Sequence, residues 1–121
     1  MIKDDIYSYL SGNSGITAIT TRIYPMLVKQ NEDLPAISYS IDAENEEVDM
    51  SGTVQFRMTG ITIEAFASGY RAAALLAEAI KTAMSTATPY WWRAELGSES
   101  DNYESESTAY SVALSYTITH N

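Results

Sequence analysis

Residues 57–84 read RMTGITIEAFASGYRAAALLAEAIKTAM, and the change of period inside that stretch decides the fold class. From Arg57 to Ala67 the side chains alternate. Ile61, Ile63 and Ala65 take one face and Met58, Glu64 and Phe66 the other, which is the pattern of a strand. Ser68 follows as a natural N-cap, and the period then becomes helical. Ala73, Leu76, Ala77, Ile80 and Met84 form an apolar stripe, with Arg71, Ala74, Glu78, Lys81 and Ser85 on the opposite, wet face. The many alanines let this helix lie close on a sheet.

Working outward, Ala36 to Ile41 alternates cleanly, Ile37, Tyr39 and Ile41 against Ala36, Ser38 and Ser40, and reads as a half-buried strand. Ile23 to Val28 reads as a strand with Pro25 near its start; proline donates nothing to a ladder, so this is an edge or irregular strand. A short helix over residues 3–10 carries Asp4 and Asp5 in its first turn and ends at the Gly- and Ser-rich 11–15, with a further helical turn through Ile16 and Ile19. Downstream, 90–96 and 110–118 read as a closing antiparallel hairpin, with the acidic segment 98–106 at its tip. Residues 30–33 read as a polar turn, and 44–51 as a long solvated hairpin loop. Helix, three strands, helix, two strands predicts an α+β fold: a mostly antiparallel sheet of about five strands, with one long and one short helix packed on one face. No repeat or boundary divides the chain, so residues 1–121 read as a single domain.

Sixteen acids against seven bases give a net charge of −9, and the bases are scattered singly. That balance argues against wrapping nucleic acid, which needs clustered Lys and Arg. The absence of cysteine rules out disulfides and thiolate metal sites and fits synthesis in the cytoplasm of a cell. The opening residues do not resemble a signal peptide, and no apolar run approaches the ~20 residues a bilayer requires, so a soluble protein with no membrane partner is expected.

Catalytic apparatus is hard to assemble from these residues. His120 is the only histidine, and its place beside the C-terminal residue predicts a frayed, solvated side chain rather than a base or ligand. No Gly-rich phosphate loop is present. Asp42, Glu44, Glu46, Glu47 and Asp49 could offer oxygens to calcium, but their spacing does not match an EF-hand loop, and a wet, self-repelling loop is the plainer reading. The expectation is a non-enzyme without cofactor or metal. Trp91 and Trp92 are adjacent, so in a strand they face opposite sides; one can enter the core, and the other becomes a candidate interface anchor.

Several segments in this order resemble the tail-completion, or tail terminator, proteins of long-tailed bacteriophages. They are the opening short helix, Arg22-Ile23-Tyr24-Pro25, Leu34-Pro35-Ala36-Ile37-Ser38-Tyr39, Ile61 to Ala67, and the helix carrying Ala72, Leu76, Ala77 and Ile80. The likeness spans residues 1–85, with Glu64 where Asp is more usual. It implies a virion subunit forming a ring of six at the head-proximal end of a tail, made in a bacterial host. Such a ring stops tail-tube growth, contacts the tube protein and the head connector or stopper, and lets DNA pass without specific binding. Tyr24, Met26, Val28, Trp91 and Arg93 are then candidate contacts between copies, and the acids 42–49 candidates for facing the channel or the connector. A tail-tube or minor tail protein is the alternative within a virion. A monomeric protein-binding module is the alternative of another class.

Overall fold

A computed structural model describes residues 2–26, 34–48, 50–86, 88–104 and 109–121. Helices α1 (Ile2–Gly12) and α2 (Ser14–Thr17) open the chain, followed by strands β1 (Ile23–Pro25), β2 (Ala36–Val48) and β3 (Val54–Ala67). Helix α3 (Tyr70–Met84) then leads to β4 (Arg93–Glu104) and β5 (Ala109–His120). The five strands form one sheet in the order β1-β2-β3-β5-β4, antiparallel except for the β1–β2 pair. This is the α+β architecture that the mixed periods predict. Val28, the turn at 30–33 and Asp49 lie outside the described residues.

Register explains which face the helices cover. Cross-strand rows run Ile37–Ala65–Val112, Tyr39–Ile63–Leu114 and Ile41–Ile61–Tyr116. Each puts large apolar groups on one side, where Leu76, Ile80 and Met84 of α3 and Ile6 and Leu10 of α1 bury against them. A fully buried aliphatic side chain of this size contributes about 1.5–3 kcal/mol. The intervening rows, Ser38–Glu64–Ala113–Ser100 and Ser40–Thr62–Ser115–Ser98, put small and polar groups on the opposite face.

Local chemistry sets the helix starts. The Asn13 side chain accepts hydrogen bonds from the Gly15 and Ile16 amides, 3.0 and 3.2 Å, and so caps α2. The N-cap of α3 is Gly69, in extended conformation and without a side-chain bond, one residue later than the expected Ser68. In α1 the buried positions are Ile2, Ile6 and Leu10, and Tyr7 is exposed.

Two acidic segments expected as loops are strand. β2 runs on through Glu44, Glu46 and Glu47 to Val48, and β4 spans the acidic stretch to Glu104. Charge in a sequence reports solvent, not backbone shape, and both segments reach water while keeping their ladder bonds. At its start β4 is shorter than the expected 90–96, because Trp91 makes only an isolated bridge to Thr88.

Candidate assembly surfaces

The β2–β3 hairpin projects from the sheet. On one side β2 is paired with β1 only as far as Tyr39, so from Asp42 onward its outer edge carries no strand among the described residues. On the other, β5 ends at His120 opposite Arg57, so among the described residues Val54 to Phe56 have no β5 partner. Asp42, Glu44, Glu46 and Glu47 are all exposed on this projection. Arg57 Nε lies 3.8 Å from Glu44 and 3.5 Å from Glu46; pairs this exposed add little stability. Asp42 accepts a hydrogen bond from the Thr62 hydroxyl at 2.7 Å. Among the described residues no three His, Asp or Glu side chains are grouped to hold a metal.

The end of the hairpin is apolar. Val48, Met50 and Val54 are exposed there, Met50 completely at 107%. Their signal in the sequence is faint, three isolated apolar residues among acids that mark the segment as wet.

Trp91, expected at an interface, is 5% exposed and belongs to the core, whereas Trp92 is 61% exposed. The Trp91 ring meets Tyr9 edge to face at 4.9 Å, and the Tyr9 hydroxyl donates to the Ala83 carbonyl, which ties α1 to the last turn of α3. Burial pushes the Tyr9 phenol above its ordinary pKa. Trp92 lies against Phe56, with ring centroids 6.2 Å apart. Beside it a depression of about 260 Å³ is lined by Met84, Thr86, Thr88 and Arg93. Arg93 is exposed and ion-paired with Glu95. Tyr24 is half-buried in β1, and Met26 is exposed with a left-handed φ of 75°. The structure thus brings Trp92, Arg93 and the hairpin base together, and sets Tyr24 and Met26 apart at the β1 edge.

β4, the other edge, is locked to α3 from its far side. Lys81 Nζ lies 2.7 Å from Glu78 and 2.9 Å from Glu99, and these carboxylates raise its pKa. The Tyr70 hydroxyl donates to Asp101 at 2.6 Å, and that bond raises the phenol pKa. The Tyr103 and Tyr110 rings meet nearby in a tilted pair, centroids 4.6 Å apart.

His120 is not frayed. It is 6% exposed, with Nε2 2.7 Å from the Thr59 hydroxyl, because β5 extends to the penultimate residue and pairs it with Arg57.

What these surfaces offer is contact: a projecting hairpin, the outer strands β1 and β4 of the sheet, and exposed aromatics. They define a structural assembly subunit. The comparisons with known proteins agree, for residues 4–121 match the family described as tail completion protein gp17, and the chain belongs to that family. It is therefore a structural protein of a phage virion tail. The fold is similar to that of a chain in the solved structure titled "Virion of native gene transfer agent (GTA) particle", with a TM-score of 0.72 and 13% identity over 94% of this chain and 90% of that one. No curated protein sequence matches the chain.

Proposed function

We propose that this protein assembles as a ring of six at the head-proximal end of the tail, ends growth of the tail tube and joins the tail to the head connector. Membership of the tail-completion family is the observation that carries the reading. Its exposed chemistry supports it. A ring needs a heterologous contact, one patch on each copy meeting a different patch on the next, and the hairpin end and the helix layer differ in shape and charge. The acids Asp42, Glu44 and Glu46 face the channel or the connector, where a lining of carboxylates repels the phosphates of passing DNA instead of holding them. Tail-tube protein and head connector are the neighbours along the axis.

The test is a particle lacking this chain. Heads and tails that stay separate, with tails of uncontrolled length, are expected by electron microscopy. Joined, infectious particles of normal tail length overturn the reading.

A further inference from the structure

We infer that the apolar end of the β2–β3 hairpin docks on the outer face of α3 in a second copy of this chain, with Glu47 meeting Arg71 across the contact. This rests on the ring reading above and names the two patches that close it.

The hairpin end presents Val48, Met50 and Val54 to solvent, and exposed apolar groups gathered on a projection mark a contact surface. Glu47 pairs opposite Phe56, so it points to the face of β2 opposite Glu46 and Glu44, which share Arg57. Among the described residues Glu47 therefore has no ion pair on its own hairpin. The start of α3 has the complementary composition. Leu75 is exposed there, with Arg71 one helical turn before it on the same outer strip. Among the described residues the other cations of the sheet and α3 are committed: Arg57 to the hairpin acids, Lys81 to Glu78 and Glu99, Arg93 to Glu95. Arg71 has no such ion pair, which leaves one uncommitted cation beside exposed Leu75 to match Glu47 beside the apolar hairpin end.

Topology decides that the match lies between copies. β3 has 14 residues and separates the hairpin turn from the α3 start by roughly 45 Å of strand. The two patches sit at opposite ends of the sheet, so a chain cannot satisfy itself. One end of each copy meeting the other end of the next is the head-to-tail arrangement from which closed rings are made.

The chain contains no cysteine, which makes cross-linking decisive. Met50→Cys and Leu75→Cys both fall at exposed positions. Under mild oxidation of the assembled protein, neither variant alone should cross-link, an equal mixture should give dimers, and the double variant should give a ladder ending at the covalently closed ring. Glu47→Arg and Arg71→Glu should each weaken association roughly fivefold, and together restore it, as expected of an exposed charge pair. Multimers by light scattering without a 50–75 bridge overturn this contact and leave the ring standing. A bridge in Met50→Cys alone overturns it in favour of end-to-end pairing. No multimer either free or on tails overturns the contact and the ring together.

Discussion

Trp91 and Trp92 share one identity and opposite fates, and their neighbours account for the difference. Trp91 lies under α1 and the end of α3, packed on Tyr9, whereas Trp92 touches Phe56 and water. Trp91→Ala is expected to lower unfolding free energy by about 3–5 kcal/mol, the usual cost of emptying a large aromatic site. Trp92→Ala should stay within about 1 kcal/mol, since exposed positions away from the core rarely cost more. Equilibrium urea unfolding of the two variants measures the contrast, and equal losses would show that the rings are not divided between core and surface. The pair splits although neither ring lies in a named strand, and which one goes inside depends on α1, far off in the sequence. His120 poses the same difficulty. Nothing in the residues near it signals burial, because its partner Thr59 lies 61 positions away. Thr59→Val keeps the volume and removes the hydroxyl, so a buried ring nitrogen loses its partner. The expected loss is about 1–3 kcal/mol by the same unfolding measurement; a neutral result would mean that water serves the nitrogen equally well.

At the level of elements, the strand and helix periods of 57–84 survive in β3 and α3 nearly residue for residue, because packing and local preference agree there. The acidic halves of β2 and β4 were illegible as strands, since their ladder bonds come from partners that carry the apolar pattern. What holds the far part of β4 down is polar: Lys81 to Glu99 and Tyr70 to Asp101. Both donors have raised pKa values in the folded protein, Lys81 above its ordinary 10.5 and Tyr70 above 10.0. A raised folded value means that the protonated form is favoured by folding. The contribution is thus complete below the ordinary value and is lost as pH climbs through the folded one. Protection of the β4 amides, taken relative to their base-catalysed intrinsic exchange, should therefore stay constant between pH 7 and 9, and the stability this lock contributes should fall only above about pH 10. Lys81→Met should reduce the slope of that alkaline loss while leaving α3 helical by circular dichroism; an unchanged slope would show that the lock contributes nothing.

The whole molecule carries a net charge of −9, and its acids are gathered on the hairpin and on β4 instead of spread evenly. The sheet with its helix layer could be read from periodicity. The apolar hairpin end and the cation on α3 could not, since their significance appears only once topology places them at opposite ends of one body. If the Glu47 face of the hairpin is occupied by a neighbouring copy, the face bearing Glu44 and Glu46 is left for the channel. Double-stranded DNA presents one charge per ~1.7 Å, so a lumen of carboxylates keeps it off the wall, whereas lysines would grip it. Glu44→Lys together with Glu46→Lys, both at exposed strand positions, should leave ring assembly intact and slow DNA ejection several-fold. Because the grip is Coulombic, the slowing should be greatest at low ionic strength and should fade toward 1 M salt, where the screening length is about 3 Å. Time-resolved release of DNA from particles triggered in vitro provides the measurement. Ejection at the wild-type rate in low salt, with heads and tails still joined, would remove Glu44 and Glu46 from the channel wall.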